Sequence, residues 1–179
     1  YGIPEHATSL SLPTTKAGNT NINPKYHEPF RMYNLDVFEY ELDNPMSLYG
    51  QIPMMLAHGI NDGKGITSGV FWFNPTETFI DISDHKPDDQ QDDTNFHKAT
   101  HWISESGNID FFWLPGPDVN SIYHQYSLIT GTQQLPPMFS LGYHQCRWNY
   151  RDEKDVAQVE AMFEELDYPM DVIWLDIEH

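Results

Sequence analysis

Two stretches decide the fold: Phe139-Ser-Leu-Gly-Tyr-His-Gln-Cys-Arg-Trp-Asn-Tyr-Arg-Asp152 and Asp171-Val-Ile-Trp-Leu-Asp-Ile-Glu-His179. The first predicts a strand over 139–147. Asp152 then stands where a helix cap is needed, with Asp155 three residues on, and acidic side chains suit the amino end of a helix dipole. Val156, Val159, Met162, Phe163 and Leu166 recur at helical spacing as one apolar stripe. Asp167-Tyr-Pro169 stops that helix, because proline cannot continue it. Val172-Ile-Trp-Leu175 is mostly apolar, as a parallel strand buried on both faces requires. The pattern is one β-α-β unit with a right-handed crossover. A doubly wound sheet and a (β/α)₈ barrel both fit. In either, chemistry collects at the carboxyl ends of the strands. Two parallel strands do not complete a sheet, so further strands are expected beyond His179.

Working outward, residues 1–135 read as β-structure punctuated by turns, and residues 136–179 as the start of the α/β part. Asp36-Val-Phe-Glu-Tyr-Glu-Leu42 alternates apolar and polar, which predicts a half-buried strand. Ile52–His58, Ser68–Phe73 and Thr78–Ile82 are short apolar or β-branched runs bounded by turn residues. Asn61-Asp-Gly-Lys-Gly65 predicts a hairpin between the first two. His101–Ser106 and Ile109–Leu114 flank Gly107-Asn108, a second hairpin candidate. This spacing of short strands points to a sheet-on-sheet sandwich. Thr14–Pro29 and the Asp-rich Ser83–Asn95 read as loose surface segments. Asp118 is placed to cap a helix running to about Ile129, with Val119, Ile122, Tyr123, Tyr126 and Ile129 on one face and Gly131 at its end. Leu135-Pro-Pro137 is the stiff joint between the two parts.

Nine basic residues against 27 acidic ones give a formal net charge of −18 in a chain of 179 residues. Binding to phosphate backbones or anionic membranes depends on Lys and Arg, so this balance argues against nucleic acid and membrane surfaces and leaves neutral ligands open. The chain begins at Tyr1 without a basic, apolar signal-like stretch. Its single Cys, Cys146, makes an internal disulfide framework impossible, and its place in a strand predicts a buried structural thiol. His-Glu-x-x-His, paired Cys, phosphate loops and nucleophile elbows are all missing, so no metal or cofactor is expected.

Asp176 follows an apolar strand at its carboxyl end, where a carboxylate serves either as a sugar ligand or as the cap of the next turn. Glu178 falls on the same side. Arg147-Trp-Asn-Tyr150 ends the preceding strand, so Trp148 offers a ring either to an apolar sugar face or to the underside of the loops. Asp36, after Tyr33-Asn-Leu35, reads on pattern alone as a turn residue.

Gly142-Tyr-His-Gln-Cys-Arg-Trp-Asn-Tyr-Arg-Asp152 and Trp174-Leu-Asp-Ile-Glu-His179 resemble the start of the catalytic barrel in glycoside hydrolase family 31. Gly2–Ala7, Tyr33–Tyr40, Gly69–Asn74 and Thr130–Pro137 agree with the same family in the same order, and the similarity fades in 14–29 and 84–100. The resemblance implies a mixed β and α/β architecture: an N-terminal β-sandwich, then the first β-α-β unit of a (β/α)₈ barrel. It implies part of a retaining exo-α-glucosidase. The branch it is nearest to trims α-1,3-linked glucose from N-linked glycans in the endoplasmic reticulum lumen, beside a non-catalytic beta subunit. Other branches act on starch-like oligosaccharides, and a non-catalytic carbohydrate-binding module is a third reading. The family's nucleophile motif, Trp-x-Asp-Met-Asn-Glu, does not occur in these residues, so neither catalytic carboxylate is assigned here. By resemblance, Asp36, Trp148, Asp176 and Ile177 are sugar-binding positions, which reverses the pattern reading of Asp36.

Overall fold

The structure, a computed structural model, describes residues 1–20, 22–86 and 97–178. The chain forms two compact units, Tyr1–Gly131 and Thr132–His179.

The first unit is a β-sandwich with a helix. β1 (Gly2–Pro4), β2 (Phe30–Met32), β3 (Gln51–Asn61), β4 (Lys64–Trp72), β5 (Thr78–His85), β6 (His97–Ser104) and β7 (Phe111–Leu114) precede α1 (Val119–Thr130). One sheet has the order β1-β3-β4-β7 and the other β2-β5-β6, antiparallel throughout. Ile3, Leu12, Phe30, Met32, Ile80 and Ile82 fill the interior, with Met55 and Trp102 packed against them. The period-2 alternation of β3 and β4 sends Met54, Leu56 and Phe71 to the opposite face. There α1 covers them with Ile122, which is fully buried. β3 and β4 turn at Asp62-Gly63, where Asn61 pairs with Lys64. Both turn residues have positive φ, 49° and 73°, as a two-residue turn of this hand demands.

Several expectations are corrected. Asp36–Leu42 forms no strand: Phe38 is 91% exposed and Leu42 81%. Alternation makes a strand only beside a partner, and this stretch gains no ladder; Leu35 N–H reaches Leu48 O at 2.7 Å and Tyr49 Oη holds Val37 O. Thr14–Pro29 is not loose at its start. Where short β2 leaves β5, Thr15 and Lys16 N–H donate to Ile82 O, Ile82 N–H donates to Thr15 Oγ1, and Thr14 and Thr15 are buried. Ser83–His85 belongs to β5, opposite His97–Ala99; residues 87–95 of the Asp-rich stretch lie outside the described residues. Gly107-Asn108 does not close a hairpin, because β6 pairs with β5 and β7 with β4. Asn74 turns the chain between the sheets by donating from Nδ2 to Ser106 O at 2.8 Å and to Asn108 O.

The second unit holds a 3₁₀ turn (Met138–Leu141), β8 (His144–Arg147), α2 (Glu153–Glu165) and β9 (Val172–Leu175). β8 and β9 are parallel, in register from His144↔Val172 to Arg147↔Leu175. The strand therefore starts five residues later than expected from 139: Ser140 N–H and Oγ both bond Pro137 O and coil the chain. Asp152 caps α2, its Oδ1 accepting from Lys154 and Asp155 N–H at 2.9 Å. Asp167, with φ of 54°, ends it. Burial on both faces of β9 is not found: Trp174 and Leu175 are 53% and 52% exposed. Cys146 is likewise exposed rather than buried.

Candidate functional site

The β-α-β unit places the first residues beyond its two strands side by side. Trp148 follows Arg147 and Asp176 follows Leu175, and those two precursors are register partners. Glu178 N–H donates to Trp148 O at 3.4 Å, tying the two loops together at the carboxyl end of the pair. Trp148 is half exposed and Ile177 is 63% exposed, so both present surface to a ligand. One Asp176 oxygen, Oδ1, accepts Ile177 N–H at 2.8 Å. That contact is the turn cap its position also allowed, and it fixes the direction of the carboxylate.

The surrounding side chains are set by short local bonds. Arg147 Nε donates to Asn149 Oδ1 at 3.1 Å. Tyr150 is buried, with Gln145 Nε2 at 3.5 Å from its hydroxyl. Asn149, Tyr150, Arg151 and Glu178 line a shallow cleft of about 360 Å³. Trp148, Asp176 and Ile177 are not among its lining residues. Sequence reasoning gave no ligand role to Asn149 or Arg151, because polar side chains in a loop carry no periodic signal. At the other end of the strands, the Asp171 carboxylate accepts Tyr143 N–H at 3.0 Å. A Cβ at Gly142 would lie 2.0 Å from that carboxylate oxygen, so a side chain there would displace it.

Below the loops, Trp174 Nε1 donates to His144 Nδ1 at 2.8 Å, and His144 Nε2 lies 2.8 Å from Ser140 O. An indole N–H and a carbonyl oxygen leave the imidazole one consistent tautomer: Nε2 carries the proton and Nδ1 accepts.

Asp36 lies in the first unit, exposed, just after Leu35 and outside any strand. Among the described residues no group of three or more His, Cys, Asp and Glu is arranged to hold a metal ion. No helix there is long and apolar enough to cross a membrane.

The chain is 54% identical over its whole length to neutral alpha-glucosidase AB of Dictyostelium discoideum, of which it spans 18%. A crystal structure of glucosidase II alpha subunit in an alpha3-Glc2-bound form superposes with a TM-score of 0.80 at 48% identity, covering 99% of this chain and 19% of that one. A crystal structure of the ER glucosidase II heterodimeric complex, consisting of the catalytic subunit and the binding domain of the regulatory subunit, matches with the same TM-score of 0.80, at 47% identity over 99% of this chain and 19% of that one. The chain thus spans about a fifth of the length of these relatives. Residues 1–81 match the glycosyl hydrolase 31 N-terminal galactose mutarotase-like domain, and residues 133–179 match the glycosyl hydrolases family 31 TIM-barrel domain. With a β-sandwich followed by a β-α-β unit of barrel type, this chain belongs to glycoside hydrolase family 31.

Proposed function

We propose that this chain is part of a glucosidase II alpha subunit, a retaining exo-α-glucosidase that removes α-1,3-linked glucose from N-linked glycans in the endoplasmic reticulum lumen. The observation that carries the reading is the pairing of Trp148 and Asp176 at the carboxyl ends of adjacent parallel strands, in a chain so similar to a glucosidase II alpha subunit that binds alpha3-Glc2. A ring and a carboxylate suit one glucose: the ring stacks on the apolar sugar face, and the carboxylate accepts charge-assisted hydrogen bonds from hydroxyls. Asp36 and Ile177 belong to the same glucose-binding set. Their work is to hold the terminal sugar so that its anomeric carbon faces attack.

In retaining hydrolysis one carboxylate is the nucleophile and a second is the general acid and base, about 5–5.5 Å apart. Neither role is given to a residue of this chain, so residues 1–179 alone should release no glucose. The heterodimer seen for the ER glucosidase II relative supports a non-catalytic beta subunit as partner. We place the domain boundary at Leu135-Pro-Pro137, sandwich before and barrel after.

The test is Asp176→Asn in the full-length enzyme. Loss of a charged acceptor should lower kcat/KM by about ten- to a few hundredfold. Wild-type kinetics in a folded variant would remove Asp176 from the sugar site. Glucose release from α-1,3-linked and α-1,4-linked disaccharides, compared in the same enzyme, tests the linkage. Preference for the second would refute the N-glycan reading.

A further inference from the structure

The geometry points to His144 and Trp174 as positioning residues for the glucose site, fastening together the two strands whose ends carry Trp148 and Asp176. The inference rests on the sugar-binding reading above and adds two residues that reading does not use.

Strand side chains alternate, so His144 and Cys146 leave β8 on one side, and Trp174, the register partner of Cys146, leaves β9 among them; Trp148 and Asp176 come just after the two strands. Tyr143, just before β8, has its ring 5.6 Å from that of Phe163 on α2. Cys146 is the register partner of Trp174. Trp174 stands two residues before Asp176, and Cys146 two residues before Trp148. His144 is a rung lower on the neighbouring strand, and the two rings meet edge to face at 5.7 Å with an interplanar angle of 66°.

The pair is a chain of two directed hydrogen bonds. The indole N–H of Trp174 ends on His144 Nδ1, and His144 Nε2–H ends on Ser140 O in the 3₁₀ turn before β8. It fastens β9 to β8 through side chains, immediately under Asp176, and fastens β8 to the turn that feeds it. A ring pair set by hydrogen bonds in two directions has few other rotamers open to it. The two strands are then held in one register up to the ends from which Trp148 and Asp176 leave. Loss of that tie lets the two strand ends shift against each other, and small displacements of groups that orient a reacting sugar are costly.

The experiment uses the full-length enzyme and four variants. Trp174→Phe keeps an aromatic ring and removes the donor. His144→Phe removes acceptor and donor together, whereas His144→Gln keeps both, its amide oxygen for Trp174 and its amide N–H for Ser140 O. Asp176→Asn reports on the site itself. The readouts are the inhibition constant of 1-deoxynojirimycin, a glucose-sized ligand, and kcat/KM on an aryl α-glucoside. Expected are inhibition constants raised about fivefold in Trp174→Phe and His144→Phe, a matching fall in kcat/KM, and values within about twofold of wild type in His144→Gln, the difference corresponding to one lost hydrogen bond. Folded Trp174→Phe and His144→Phe enzymes with wild-type inhibition constants would overturn the inference. If Asp176→Asn nevertheless weakens binding, the sugar site stands and only the positioning role falls. If Asp176→Asn is also silent, both fall. Should Trp174→Phe fail to fold, the comparison of His144→Gln with His144→Phe decides: equal inhibition constants refute the role, and a fivefold gap supports it.

Discussion

Ile122→Ala is the sharpest test of how α1 is seated. Helical spacing puts Val119, Ile122, Tyr123, Tyr126 and Ile129 on one face, which alone predicts similar costs for truncating any aliphatic member. The structure separates them. Ile122 is fully buried against Met54, Phe71 and Leu114, while Val119 is 43% exposed and Ile129 38%. Ile→Ala removes three carbons, worth about 0.8 kcal/mol each when fully buried, and the cavity left behind adds to that. The expected loss at Ile122 is about 3 kcal/mol. At Ile129 it is about 1 kcal/mol, since a good part of that side chain already meets water. Hydrogen exchange followed by mass spectrometry on the full-length protein reads these locally, whatever the other domains do. At about 1.4 kcal/mol per tenfold, α1 amides should exchange roughly a hundredfold faster in Ile122→Ala and only a few times faster in Ile129→Ala. Equal acceleration in the two variants would refute the seating of α1 on β3, β4 and β7.

Asp118 caps α1, and the bonds from Ser121 N–H and Oγ hold its carboxyl below the ordinary value of 3.8. A lowered native value means that its stabilisation is present above pH 3.8 and is lost as pH falls through the native value. Exchange protection of α1 should therefore decline in that acid range in wild type, and an Asp118→Asn variant that declines identically would refute it. Asp152→Ala removes the acceptor of two N–H groups and should destabilise α2 by about 1 kcal/mol, read as faster exchange confined to its first turn. Asp36→Ala should weaken deoxynojirimycin inhibition by about tenfold with little change in melting temperature, since an exposed acid contributes little to the core. Lowered stability with intact affinity would return Asp36 to a turn-forming role.

The parts of the candidate site that were legible in the sequence are those fixed by the β-α-β pattern. An apolar run after a capped helix implies a parallel strand, and parallel strands put Trp148 and Asp176 at the same end. The His144–Trp174 bond was not legible, because Trp174 reads as one more apolar residue in Val172–Leu175. Its partner lies 30 residues away, and only the register of β8 on β9 brings the two together.

The same division runs through the whole chain. Residue type settles what is local: the caps at Asp118 and Asp152, the turn at Asp62-Gly63 and the stop at Asp167. Each follows from hydrogen bonds or steric limits between near neighbours, which residue type alone sets. Tertiary structure decided which strand pairs with which. It sent β6 and β7 to different sheets, gave Asp36–Leu42 no partner despite its alternation, and anchored Thr15 to Ile82, 67 positions away. Strand pairing satisfies backbone groups that are the same in every residue, so the choice of partner falls to whichever arrangement buries the most apolar surface across the whole unit.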